Sequence, residues 1–364
     1  MTEEKHRKFS VIIGNPPFQE ETAKKETKNG QKARTNLFQK FQEESDKIAS
    51  DEVVLIYPGK RWLHRSGKGL KEFGLKQIND PRLTSLTFYP NANEVFDNVN
   101  LSDGVTIVVK DMHKREKGFK YTLIQNGHAE SINMPNPGDQ LMPLNPKDIR
   151  IVNKIDRFVT THHLSYLHQY VTPQKVFGIE SSFAEDHPDQ VTPYTGQDYD
   201  KSKYIKLFTN DKAGKAGRAT WFIAKRDVIK KSVDLIDKYK VAVSSANAGG
   251  QKRDNQLEIM PAGTAFGRAR VALRSFDTLK EAENFKKYVA SYFIRYTFLM
   301  TDEALSSVAK RVPDLNDYSD NNQYLDFSKA IDPQLTDLMN ISAEEFRYMK
   351  EKVINFRKGD KSNG

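Results

Sequence analysis

An α/β fold is predicted for the start of this 364-residue chain by three observations. A β-branched run, Phe9 to Ile13, empties through Gly14 into Asn15-Pro16-Pro17-Phe18. A second apolar run, Val53 to Pro58, follows some forty residues later, and a helical spacing of apolar residues lies between the two. Strand, helix, strand is the grammar of a crossover unit in a parallel sheet.

The first run reads as a buried strand that ends in a stiff loop. Proline fixes φ, donates no hydrogen bond and holds the residue before it extended. Glu20 to Arg34 carries eight charges and no apolar periodicity, which predicts a mobile surface loop. Thr35-Asn36 offers an N-cap to a helix whose apolar stripe is Leu37, Phe38, Phe41 and Ile48. Val53 to Pro58 is short and continuously apolar, as expected of a strand covered on both faces. Gly59 to Gly74 predicts a basic helix around Trp62 and Leu63, and two more strands fall at Leu83 to Tyr89 and Gly104 to Lys110.

The turn-rich stretch 126–146, with its X-Pro bonds, predicts a linker after a first domain of residues 1–125. A second domain, 147–364, begins with a helix over Lys147 to Ser165 whose apolar side is Ile151, Ile155, Phe158 and Val159. Short strands follow, then helix-like Val228 to Lys238, a strand at R-V-A-L-R-S-F, and one long helix from Thr278 to Met300. Ser342 and Glu345 have the spacing of a capping box on the last helix. The fold class predicted is therefore α/β first, with an α+β unit behind it.

Composition excludes several function classes. No stretch approaches 18 apolar residues, so neither a membrane partner nor a spanning segment is expected. With no Cys there are no disulfides or thiolate metal sites, and the eight His show no ligand spacing, so no metal is expected. This is compatible with a reducing cytoplasm, the expected location. Pro188-Asp189 and Pro313-Asp314 lack the downstream Glu-x-Lys of a metal-dependent nuclease.

The net charge of +9 is uneven: Lys201 to Arg274 holds 17 Lys and Arg against 6 Asp and Glu. A basic field of that size suits phosphate neutralisation on double-stranded DNA. Within it, Gln251, Lys252, Arg253 and Asn255 sit in a Gly-rich loop and are side chains able to pair with base edges. Lys212, Lys215 and Arg218 form a second candidate phosphate loop. All seven are expected DNA contacts.

The Asn15 to Phe18 loop suits methylation of an exocyclic amino group on a flipped base. That nitrogen is a poor nucleophile until both its N–H bonds are held by acceptors. The Asn15 side-chain oxygen and the Pro16 carbonyl are the two candidates, and their rigid placement is positioning plus preorganised electrostatics. Phe18 is the candidate for stacking on the extruded base, a contact worth about 1–3 kcal/mol.

Residues 9 to 110 resemble the second half of the catalytic domain of gamma-group N6-adenine DNA methyltransferases of restriction-modification systems. The matching stretches are I-I-G-N-P-P-F-Q, V-V-L-I-Y-P-G-K-R-W-L, and N-E-V-F-D-N-V with G-V-T-I-V-V-K. The resemblance implies a Rossmann-like methyltransferase domain, S-adenosylmethionine as methyl donor, amino-group and stacking roles for Asn15, Pro16, Pro17 and Phe18, and a second stacking face at Phe96. Phe18 stands where Tyr is commoner. The family's Gly-rich cofactor loop lies upstream of its Asn-Pro-Pro motif, and only 14 residues precede Asn15 here. The chain is then expected to be a fragment, a split gene product whose partner supplies the cofactor fold, or a degenerate remnant, with a cofactor-binding methyltransferase or nuclease segment or subunit as the expected partner. The chain alone is expected to be inactive. The second domain is similar to the target-recognition domains of the same systems, through motifs of low specificity. A non-catalytic DNA-specificity module is the competing expectation.

Overall fold

In the computed structural model, residues 9–26, 32–65, 69–98, 101–210, 219–244, 257–300 and 309–359 are described, except the side chains of 19–26, 32–35 and 357–359. They divide into two units, 1–150 and 151–364.

The first unit is a mixed α/β layer. Its strands are β1 (Phe9–Gly14), β2 (Gln19–Glu26), β3 (Lys32–Asn36), β4 (Ala49–Pro58), β5 (Leu83–Tyr89), β6 (Val105–Asp111), β7 (Phe119–Gln125) and β8 (His128–Met134). Its helices are α1 (Phe38–Ile48), α2 (Lys60–Leu63) and α3 (Leu70–Ile78), and α4 (Pro146–Thr161) contains the division between the units. The main sheet runs β1-β4-β6-β5-β7-β8, with β1 parallel to β4 and β5 parallel to β7.

One face of this sheet carries the core. Val53, Leu55 and Tyr57 of β4, Leu86 and Phe88 of β5, and Val108 of β6 are buried with Phe38, Trp62 and Phe73 from the helices. Tyr57 stacks on Phe38 at 5.0 Å and gives its hydroxyl hydrogen to Gln42, 3.1 Å away on α1. The buried stripe of α1 is Phe38, Gln42 and Ser45, while Phe41 is exposed. That corrects the expected stripe: Gln42 is tolerated inside because Tyr57 satisfies it.

The other face is open. Val54, Ile56, Ile107 and Val109, adjacent through the β4–β6 register, are only half-buried and belong to no core cluster of the described residues. Ile13 joins them opposite Val54 and is 77% exposed, and Val11 and Phe9 are about half exposed. Two expectations fail here. The first run is an exposed edge strand rather than a buried one, and Val53 to Pro58 is covered on one face only.

At the amino ends of β4 and β5 a buried charge network closes the sheet. Lys110, fully buried, bridges Asp46 at 2.8 Å and Asp80 at 2.9 Å, and Arg82 donates twice to Asp80. Burial alone would raise the Asp80 pKa, but the hydrogen bonds from Arg82 and the Lys110 charge hold its carboxyl well below the usual range.

Several local expectations are also corrected. Glu20 to Arg34 was expected as a loop, yet β2 and β3 pair antiparallel across it. The α1 N-cap is Leu37, rather than Thr35 or Asn36, and it makes no side-chain cap hydrogen bond. The stretch 126–146, expected as a linker, holds β8, which pairs with β7 over its whole length.

The second unit holds β9 (Ser165–Tyr166), α5 (Phe183–Asp186), β10 (Val191–Pro193), β11 (Tyr204–Asn210), β12 (Ala219–Lys225), β13 (Tyr239–Ser244), β14 (Glu258–Met260), β15 (Thr264–Phe266) and β16 (Arg270–Phe276). After these come α6 (Leu279–Ala290), α7 (Tyr292–Leu299), β17 (Pro313–Asp314), α8 (Ile331–Leu338) and α9 (Ala343–Gly359). Sheets of order β10-β12-β11-β15 and β14-β13-β16 pack against apolar cores shared with the helices. Thr278 to Met300 is two helices, not one. Ser291 ends α6 with extended backbone, and its hydroxyl accepts from Ile294 N to cap α7. Val228 to Lys238 is not helical beyond single 3₁₀ turns. The capping box is present, with Ser342 N donating to Glu345 at 2.7 Å and Glu345 N to Ser342 Oγ at 3.2 Å.

Candidate active site

The motif loop is placed by the sheet. β1, β4 and β5 point the same way, and β6 runs against them. The loops after Gly14, Pro58 and Tyr89 and the turn before Val105 therefore share one edge, the carboxyl end of the parallel strands. In open α/β sheets that edge is where ligands bind.

Asn15 and Pro17 are exposed, Pro16 is buried and Phe18 is half-buried against the first unit's core. The Phe18 carbonyl accepts from Leu37 N at 3.2 Å, which ties the loop to the start of α1. Among the described residues neither the Asn15 side chain nor the Pro16 carbonyl has a hydrogen-bond partner. Both oxygens are left to accept. Elsewhere at this edge polar groups are engaged: Lys60 N donates to Asp103 O at 2.8 Å, Gly59 N to Gly104 O at 3.2 Å, and Arg61 pairs with Asp103 at 3.4 Å. Beneath them Trp62 Nε1 donates to Thr106 Oγ1 at 3.2 Å, and Thr106 donates to Tyr57 O at 3.0 Å. This chain of bonds fixes the floor of the edge.

Phe96 follows a 3₁₀ turn at Ala92–Glu94 and is half-buried. Its N–H donates to Ala92 O at 2.9 Å, and Glu94 accepts from Asn126 N and Gly127 N of the β7–β8 turn, so the 92–96 segment is anchored. Phe96 shares the carboxyl edge with Phe18. Their strands are separated by β4 and β6, however, about 14 Å across the sheet, and the two rings make no contact among the described residues.

Two glycines at this edge, Gly59 and Gly104, are there for close packing. A Cβ on Gly59 would meet Thr106 at 2.7 Å and Phe88 at 2.9 Å, and Gly104, at φ +62, lies against Tyr89 O. Neither leaves backbone open to a ligand. No cluster of His, Cys, Asp or Glu among the described residues could hold a metal, and no helix of theirs is long and apolar enough to cross a membrane.

The seven expected DNA contacts, Lys212, Lys215, Arg218, Gln251, Lys252, Arg253 and Asn255, lie outside the described residues. A feature that sequence reasoning passed over is a ladder of Tyr194, Lys206, Trp221 and Phe208 on one sheet of the second unit. The alternation in Y-I-K-L-F-T and A-T-W-F-I-A was the available signal.

No curated protein matches the chain. Among solved structures, it is similar to a modification subunit assigned to a type I restriction enzyme from Vibrio vulnificus YJ016, at 17% identity over 35% of this chain and 28% of that one, TM-score 0.25. It is also similar to the type IIG restriction endonuclease BpuSI, at 11% identity over 96% of this chain and 53% of that one, TM-score 0.34. The type IIL restriction-modification enzyme MmeI in complex with DNA matches at 8% identity over 82% and 45%, TM-score 0.30. The chain thus spans from under a third to about half of these proteins, and TM-scores this low carry no argument. Residues 1–96, which include the whole Asn15 to Phe18 loop and Phe96, match the family model of the Eco57I restriction-modification methylase.

Proposed function

We propose that this chain is the amino-group-binding and DNA-recognition portion of an S-adenosylmethionine-dependent adenine-N6 DNA methyltransferase of a restriction-modification system. One observation carries the reading. Two oxygens, Asn15 Oδ1 and Pro16 O, have no hydrogen-bond partner among the described residues and stand at the carboxyl edge of the sheet, inside the segment that matches a restriction-modification methylase.

In this reading each oxygen takes one N–H of an adenine amino group. With both hydrogens held, the nitrogen pyramidalises and its lone pair is withdrawn from the ring π system, and the buried Pro16 keeps the acceptors from relaxing. The exposed half of Phe18 takes one face of the extruded base. Phe96 takes the other only if the 90–98 turn reaches back over β4 and β6. S-adenosylmethionine, when bound, would supply the methyl group by breaking its S–CH3 bond and leaving as S-adenosylhomocysteine, with one proton passing from the amino nitrogen to water.

In this reading a further segment or subunit brings the donor. The edge of β1, which pairs with no strand on that side among the described residues, and the half-exposed apolar face of Ile13, Val54, Ile56, Ile107 and Val109 are a seat for such a unit, because a strand beside β1 and helices over that face would complete a doubly covered sheet.

The test is transfer of a labelled methyl group to duplex DNA, with the chain alone and with a cofactor-binding methyltransferase chain added. Label at adenine N6 only in the mixture is expected. Label at cytosine, or full activity of the chain alone, contradicts the reading. Duplex binding with no transfer in either case, unaffected by Asn15→Ala, would instead favour a DNA-specificity module.

A further inference from the structure

The outer face of the second unit's β10-β12-β11-β15 sheet carries side chains that stay half-buried, two of which, Phe208 and Trp221, pack in part against the unit's core. In the β11–β12 pairing, Ile205, Leu207 and Thr209 and, opposite them, Phe222 and Ala224 turn inward and are buried. Tyr204, Lys206 and Phe208, paired with Lys225, Ile223 and Trp221, turn outward, all half-buried except Lys225, which is exposed.

On that face the Lys206 ammonium lies between two rings, 4.7 Å from the Tyr194 centroid and 5.1 Å from that of Trp221. Trp221 in turn packs on Phe208 at 5.0 Å, and Arg270 lies over Phe208 at 5.2 Å. Lys206 has no carboxylate partner among the described residues. Two rings hold its position without neutralising it, so its charge stays available at a fixed point. Beside it, past Ile223, a groove of about 630 Å³ continues along the same face. Lys225 and Lys230 stand on it with Asp189 and Asp227, which gives donors and acceptors together.

We infer that this outer face of the β10-β12-β11-β15 sheet is a contact surface for duplex DNA. Lys206 meets a phosphate, Trp221 lies against the adjoining sugar, and the groove receives the neighbouring base edges. The occupant follows from charge: the window Lys201 to Arg274 that contains β11, β12 and β15 carries a surplus of 11 positive charges, and a polyanion complements it. The mixed groove fits base edges, which offer both donors and acceptors. A purely structural ladder would account for the ring contacts, but not for a cation with no carboxylate partner among the described residues next to an open polar groove. The inference rests on the DNA-binding part of the proposed function and names where on this chain that binding occurs.

The test uses the full chain and a fluorescently labelled mixed-sequence duplex. Trp221 is one of two tryptophans, and the other, Trp62, is buried in the first unit, so a change in tryptophan emission on adding unlabelled duplex reports this face. The expected result is such a change, absent in Trp221→Phe, a substitution that keeps a ring against Phe208. Lys206→Ala should lower affinity about tenfold and reduce the slope of log affinity against log salt by about 1, the loss of one phosphate contact. Circular dichroism of each variant shows whether the sheet is intact. If the wild-type chain binds duplex with no emission change, and Lys206→Ala leaves affinity and salt slope unaltered, the face is not the contact although DNA binding stands. Absence of any duplex binding overturns the inference and the DNA-binding reading together. Tighter binding of single-stranded RNA than of duplex overturns the choice of occupant.

Discussion

The two faces of the first sheet are made of the same kinds of residue and have different surroundings. On β4, Leu55 is buried among Phe38, Tyr57 and Phe73, while Ile56, one residue on, stays half exposed. On β1, Ile12 packs toward the core, and Ile13 beside it is 77% exposed. Apolar side chains are scattered singly over most surfaces without meaning. Five of them joined across three strands, next to the end strand of the sheet and the candidate catalytic loop, form the face on which we propose that another element packs. One face holds this unit together and the other is available to a partner.

Four substitutions break or sharpen that contrast, from the largest expected effect to the smallest. Lys110→Ala leaves Asp46 and Asp80 facing each other without their buried cation and should cost about 3–5 kcal/mol in denaturant unfolding. Leu55→Ala, on the covered face, should cost about 2–5 kcal/mol through lost burial and a cavity. Asp80→Asn removes a carboxylate whose folded pKa is depressed. Its stabilisation is present above the unfolded value near 4 and is lost as pH falls through the lower folded value, so the wild type should lose stability in acid below about pH 4 more steeply than the variant. Ile13→Ser, on the open face, should change stability by about 0.5 kcal/mol or less. If Ile13→Ser costs as much as Leu55→Ala, the open face is not open. Pull-down with a cofactor-binding chain sharpens the point, since Ile13→Ser should weaken that association and leave the fold alone.

The parts of this fold that were readable in the sequence are those decided locally. The strands at Leu83–Tyr89 and Val105–Asp111 and the Ser342 and Glu345 cap follow from composition and spacing within a few residues. The β2–β3 pairing was missed because backbone pairing requires no apolar alternation, and a charged stretch therefore looks like a loop. The break at Ser291 was missed because apolar positions continue in helical register past it, although a serine hydroxyl was free to cap a new start. The open sheet face was unreadable for a different reason. A β-branched run carries the same pattern whether its second face is covered by its own unit or left for another. The Asn15 to Phe18 loop was legible because two prolines restrict the backbone so strongly, whereas the Lys206 ladder depends on which strands pair, and only the register shows that.

The account depends most on Asn15. In the complemented system, methyl transfer to duplex DNA by the Asn15→Ala chain should fall about 100-fold or more, while its affinity for the same duplex stays within about twofold of wild type. Transfer at an undiminished rate by Asn15→Ala would contradict the claim that this side chain holds the amino group.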